Sequence, residues 1–130
     1  MTIFSRIIAG EIPCYKIAED DNFIAFLDIM PLTKGHTLVV PKTEVDYIFD
    51  LEDVYMNNIM QFSKKVAKAL DATMECTRVG MAVIGLEVPH AHVHLIPFVK
   101  ESDMNFSNKR LQLSSDEMKA IAQKITEAID

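Results

Sequence analysis

The sequence predicts an α+β fold, a five-stranded and mainly antiparallel sheet with two main helices. Five short runs have the apolar and β-branched character of strands: Tyr15–Ala18, Phe23–Leu27, Thr37–Val40, Val79–Ile84 and Ala91–Val99. The first two are separated by only Glu19-Asp20-Asp21-Asn22. That length suits a hairpin and is too short for a parallel crossover, which argues against a doubly wound parallel sheet. Two longer segments carry a helical period instead.

Taken in order, Ile3–Ile12 places apolar residues at Ile3, Phe4, Ile7 and Ile8 and is punctuated by Gly10 and Pro13, which suits a short helix. Phe23–Leu27 is the better of the first two strands and has Asp28 at its end. Thr37-Leu38-Val39-Val40 follows a polar loop and is stopped by Pro41. From Leu51 to Leu70, apolar side chains recur at Leu51, Tyr55, Ile59, Phe62, Val66 and Ala69, while Asn57, Asn58, Lys64, Lys65 and Lys68 make a wet face. Val79–Ile84 ends at Gly85, and Ala91–Val99 is interrupted by Pro97. Residues 100–110 are polar and aperiodic, a loop. Ser114 to Ala128 closes the chain as a helix: Ser114 and Glu117 have capping-box spacing, and Met118, Ile121, Ala122 and Ile125 form the buried stripe.

The 130 residues suffice for one domain with one core. Hydrophobic residues at 49% and charged residues at 25% place the chain among ordinary soluble globular proteins. No apolar run approaches the ~18 residues of a membrane span, and no secretory cleavage pattern follows the apolar start, so a cytoplasmic protein is expected. A net charge of −6 repels a polynucleotide backbone but leaves room for a small phosphorylated ligand held by local donors. Cys14 and Cys76 make neither a disulfide framework nor a zinc knuckle.

Three of the four histidines fall in His90-Ala91-His92-Val93-His94-Leu95-Ile96. On a strand, alternation sends all three imidazoles to one face, ~7 Å apart, and Ala91, Val93 and Leu95 to the other, where a core would take them. Three groups that titrate near neutrality on one face suit proton and phosphate chemistry. They also suit a metal, which would need a further ligand from elsewhere. A polar sheet face of hydrogen-bonded histidines without chemistry is the third reading.

The pattern His-φ-His-φ-His-φ-φ, with φ apolar, resembles the signature of the histidine-triad (HIT) family. Three upstream blocks agree with it in order: Ile3-Phe4-Ser5-Arg6-Ile7-Ile8-Ala9-Gly10-Glu11-Ile12-Pro13 resembles the family's opening segment. Phe23-Ile24-Ala25-Phe26-Leu27-Asp28-Ile29-Met30-Pro31 resembles its strand with a ribose-binding acid. Gly35-His36-Thr37-Leu38-Val39-Val40-Pro41-Lys42 resembles its next strand, with a further histidine at its start. The resemblance implies a HIT-like fold over a single domain of residues 1–130, with the core in about 2–98 and a C-terminal loop and helix in 100–130. It implies a hydrolase or transferase acting at the α-phosphate of a purine nucleotide or nucleoside phosphoramidate, without a cofactor. His92 would be the nucleophile, forming a nucleotidyl-histidine intermediate. His94 would bind phosphate oxygens, and His90 and His36 would orient the site. Asp28 would accept ribose hydroxyls, and Phe4, Ile7, Ile12 and Ile29 would form the slot for the base. A homodimer joined through the Leu51–Leu70 helix and a shared sheet is also implied, with no polynucleotide or membrane partner.

Two departures qualify this. Where the family has an amide and then a hydroxyl before the triad, this chain has Leu86 and Glu87. Leucine donates nothing, and an ionised glutamate accepts only and repels phosphate. Glu87 is thus a candidate for a substrate-specific role, as a proton donor or a partner for a cationic leaving group, and a nucleotide-binding module with little turnover is the alternative to an enzyme. Some family members carry Cys-x-x-Cys near the N-terminus as half of a zinc site. Thr2 and Ser5 stand there, and neither replaces a thiolate, so no metal is expected and a metal-binding sheet protein is the third reading.

Overall fold

Strand alternation divides the molecule into two faces with different jobs. The computed structural model describes residues 1–130. In chain order the elements are helix α1 (Ile3–Ile8), strands β1 (Lys16–Glu19), β2 (Phe23–Leu27) and β3 (Thr37–Pro41), helix α2 (Asp53–Thr73), strands β4 (Arg78–Ala82) and β5 (Val93–Phe98), and helix α3 (Ser115–Glu127). The five strands form one sheet in the order β1-β2-β3-β5-β4, every neighbouring pair antiparallel.

Phe23, Ala25 and Leu27 of β2, Val39 of β3, and Val93 and Leu95 of β5 point to one side. There they meet Ile59, Phe62, Val66, Ala69 and Leu70 of α2 and Met118, Ala122 and Ile125 of α3. Each fully buried side chain of this size contributes about 1.5–3 kcal/mol, so this face carries most of the fold's stability. The intervening residues Ile24, Phe26, Leu38 and Val40 face the other way, where Phe4 of α1 covers them. Asp28, His36 and His94 belong by the same alternation to this second, thinly covered side.

Several boundaries differ from the sequence expectation for physical reasons. β1 starts one residue late and carries an irregularity between Lys16 and Ala18, the sort of bulge that blunts an edge strand. Leu51 precedes α2 rather than starting it. It follows a 3-10 turn at Ile48–Asp50 and packs with Ile48 and Ala91 in a small separate cluster. The capping box at α3 is half formed: Ser114 Oγ accepts from the Glu117 amide at 3.1 Å, but the Glu117 carboxylate turns out to Lys34 Nζ at 2.8 Å. Ile121 of the expected stripe is only half-buried. Within residues 100–110 the chain makes a 3-10 turn at Glu101–Met104.

Candidate active site

His90 and His92 lie in the approach to β5, not in the strand as expected, since regular pairing begins at Val93. The backbone there is held from elsewhere: the Ala91 amide donates to Val45 O at 2.7 Å and the His90 amide to Val88 O at 2.8 Å. The imidazoles nevertheless share the α1 side, with Phe4 edge-on to His90 and His92 at centroid separations of 5.9 and 4.9 Å. The His92 and His94 rings stand 4.9 Å apart, closer than the ~7 Å strand repeat, because the rings tilt toward one another. Ala91, Val93 and Leu95 are buried on the opposite side, as alternation requires.

His36 arrives from the start of β3, and β2 brings Asp28 beside it, with the Asp28 amide donating to His36 O at 2.9 Å. His36 Nε2 and His94 Nδ1 are 2.9 Å apart. His36, His90, His92 and His94 are all buried, so their enclosed ring nitrogens need partners of the right sense.

Those partners fix the tautomers. His36 Nδ1 accepts from the Leu32 amide at 3.0 Å, so its proton is on Nε2 and is donated to His94 Nδ1. His94 therefore keeps its own proton on Nε2 and presents a neutral N–H donor. His92 Nδ1 faces the carbonyl oxygen of His90 at 2.8 Å and must donate to it, which leaves His92 Nε2 with a lone pair. His90 donates from Nε2 to Pro41 O at 2.8 Å, and its Nδ1 meets Thr2 Oγ1 at 2.9 Å.

Burial holds His36 at a pKa of about 3 and His94 at about 4, with neighbouring imidazoles and Arg110 adding to the effect. Burial also lowers His92, against the opposing pull of the His90 carbonyl and the carboxylates Asp28 and Glu87. These three rings are neutral at pH 7. The 3.7 Å approach of His36 Nε2 to Asp28 Oδ2 is thus no ion pair. Asp28 accepts from the Met30 amide at 2.9 Å through Oδ1, and burial raises its carboxyl above the ordinary range.

The structure brings together His36, His90, His92, His94, Asp28 and Phe4. Ile7 packs in the same apolar cluster as Phe4, while half-buried Ile12 and Ile29, which is 70% exposed, lie outside it. Glu87 is exposed, and Leu86 beside it is 89% exposed. Sequence reasoning missed four residues. Thr2 reaches His90, and Glu44 accepts from the Thr2 amide and from Ser5 Oγ. Phe106 lies edge-on to His94, and Arg110 stands beside Asp28. Phe106 and Arg110 sit in the segment read as a polar loop, where no period marked them.

The donor set does not favour a metal. Ligand atoms of Asp28, His36 and His94 lie within 4.8 Å of one another, yet the two nitrogens are engaged with each other at 2.9 Å. Two imidazoles on a tetrahedral zinc would stand about 3.3 Å apart, without a proton between them. Near α1, the Thr2 and Ser5 hydroxyls are occupied by His90 and Glu44.

Comparison with known proteins agrees with this architecture. The HIT domain model matches residues 9–101. An adenosine 5′-monophosphoramidase of Schizosaccharomyces pombe is 35% identical, covering 98% of this chain and 97% of its own length. An uncharacterised HIT-like protein of Borreliella burgdorferi is 35% identical over 95% of both chains. The crystal structure of a HIT-like protein involved in cell-cycle regulation from Bartonella henselae superposes with a TM-score of 0.86 at 29% identity, covering 98% of this chain and 96% of that one. With an antiparallel five-stranded sheet, three imidazoles on one face and a match that spans most of the sequence, the chain belongs to the HIT family.

Proposed function

We propose that the protein is a hydrolase that cleaves a purine nucleoside phosphoramidate, or a related nucleotide, at the α-phosphate, with His92 Nε2 as the nucleophile. The observation that carries this is the bond from His92 Nδ1 to the His90 carbonyl, which fixes the tautomer with a free Nε2 lone pair. Attack by that nitrogen forms a phosphorus–nitrogen bond while the bond to the leaving amine breaks and the amine takes a proton from solvent. Water then attacks phosphorus, the bond to His92 breaks, and a proton returns to solvent. Two easier displacements replace one hard one. The His94 Nε2–H is a fixed donor for a phosphate oxygen, a preorganised aid to charge developing in the transition state. Asp28 is assigned to the ribose hydroxyls, and Phe4, Ile7, Ile12 and Ile29 to the base. The similarity to an adenosine 5′-monophosphoramidase supports the substrate class.

The chain is further proposed to act as a homodimer in the cytoplasm. The open apolar edge at β4 supports the dimer, and two free cysteines fit a reducing compartment. No helix is long and apolar enough to cross a membrane.

The test is hydrolysis of adenosine 5′-phosphoramidate by wild type and His92→Ala, with AMP binding measured on both. The variant should lose about a thousandfold or more in kcat while still binding AMP. Equal rates would remove His92 as nucleophile. Exposed Leu86 and Glu87, which supply no donor, favour one second reading, a nucleotide-binding module. AMP binding by wild type without turnover would establish it.

A further inference from the structure

The segment after β5 folds back across the histidine face. Phe106 packs edge-on against His94 at a centroid separation of 4.9 Å and against His36 at 6.4 Å. Four residues on, Arg110 donates from NH1 to Met30 O at 2.8 Å, stands 3.9 Å from Asp28 Oδ2, and places Cζ 5.8 Å from the centre of the Phe106 ring. The next amide, Leu111, donates to Pro31 O at 2.9 Å. The strap is thus held at Phe106 by the His94 and His36 rings and at Arg110 and Leu111 by the loop that follows Asp28. It also lies beyond residue 101, where the match to the HIT domain model ends.

Arg110 is well placed to bind an anion. A guanidinium carries five N–H donors. One is used at Met30 O, and the side chain remains 26% exposed, so the others are open to a ligand. The remaining fixed charges around the imidazoles are carboxylates: Asp28 beside His36, and Glu87, whose field reaches both Asp28 and His92. Arg110 is the basic side chain whose charge acts on Asp28, His36 and His94. An anionic substrate entering past two carboxylates needs a compensating cation, and the Gly85–Glu87 turn has none to offer.

We propose that Arg110, held in place by the Phe106 strap, binds a phosphate oxygen of the nucleotide and so determines specificity for phosphorylated over unphosphorylated ligands. It fills the donor role for which Leu86 and Glu87 have no group. The proposal rests on the nucleotide reading above, and the experiment separates the two.

AMP and adenosine are titrated calorimetrically into wild type, Arg110→Gln and Arg110→Lys, and kcat and KM for adenosine 5′-phosphoramidate are measured on the same samples. Wild type should prefer AMP to adenosine by about tenfold or more. Arg110→Gln should weaken AMP by about ten- to hundredfold, the worth of a hydrogen bond to a charged group, while adenosine shifts by less than about threefold. Arg110→Lys should recover part of the loss, because it keeps the charge but not the fork. KM should rise with the AMP dissociation constant. AMP and adenosine weakening together in Arg110→Gln would mean that the residue only supports the fold, and unchanged AMP binding would mean that it touches no phosphate. Either result overturns the role of Arg110 and leaves the nucleotide reading standing. Wild type that binds neither ligand would overturn both.

Discussion

Thr2 shows how a single hydroxyl ties a helix end to the chemistry. Its Oγ1 accepts from the Ser5 amide at 3.0 Å, capping α1, and meets His90 Nδ1 at 2.9 Å. Glu44 holds the same corner through the Thr2 amide and Ser5 Oγ. Because the His90 carbonyl accepts from His92 Nδ1, a change at Thr2 is two hydrogen bonds from the proposed nucleophile. Thr2→Val keeps the shape and removes the hydroxyl. It should cost about 1–2 kcal/mol in urea denaturation, from the lost cap and an unpaired buried nitrogen. It should also lower kcat severalfold at nearly constant KM, and Thr2→Ser should restore both. A stability loss without a change in kcat would make Thr2 a helix cap and nothing more. The sequence could be read as far as the histidines and Asp28, because period-2 alternation puts the three triad imidazoles on one face and the resemblance of the two upstream strands marks Asp28 and His36. It could not reach Thr2, since a hydroxyl four residues before Arg6 carries no sign of a partner at position 90. Arg110 and Phe106 were hidden for a related reason: their role depends on a strap whose path no periodicity encodes.

At the scale of elements, all five strands and both long helices were legible because each combines a clear period with sharp punctuation. Pro97 is the instructive case. A proline inside a central strand normally removes a ladder bond. Here the β3–β5 pairing ends at Thr37 with Leu95, and on that side Pro97 O accepts from Thr33 Oγ1 at 2.6 Å, while Pro97 lies opposite Val79 in the β4–β5 ladder. The two sheet edges are treated differently. β1 is irregular and is tied to α3 by Thr126 Oγ1 donating to Ile17 O at 3.1 Å. β4 is left open, and Met81 on it and Val83 and Ile84 just after it are exposed, as are Val54 and Met60 on α2. An open apolar edge of that kind invites a second strand. Sedimentation equilibrium should give about twice the 14.7 kDa chain mass, and Met81→Lys should shift it toward the monomer. A wild type that stays monomeric at micromolar concentration would rule out pairing through this edge.

The whole molecule also bears the cost of keeping several imidazoles buried and neutral. An unfolded histidine takes up a proton near pH 6.5, whereas folded His36 does so at about 3 and His94 at about 4. As pH falls through 6.5 the unfolded chain binds protons that the folded chain refuses, so stability is full above that pH and is lost below it. Each such group removes up to about 1.4 kcal/mol per pH unit over its window. His92, also lowered, adds to the loss. Asp28 acts in the opposite sense, since burial raises its carboxyl and the folded chain takes up that proton before the unfolded one. Urea denaturation should therefore show a stability lower by about 2–4 kcal/mol at pH 5 than at pH 7. His94→Gln should flatten that slope by removing one of the contributing groups, whatever its effect on stability at pH 7. With His92 as the proposed nucleophile, the acidic limb of kcat/KM should lie below pH 6.5, because a neutral ring is the attacking form and burial lowers its pKa. Equal stability at pH 5 and pH 7 would mean that these rings take up protons within the fold, and the tautomer chain from Leu32 through His36 to His94 would then fail with it.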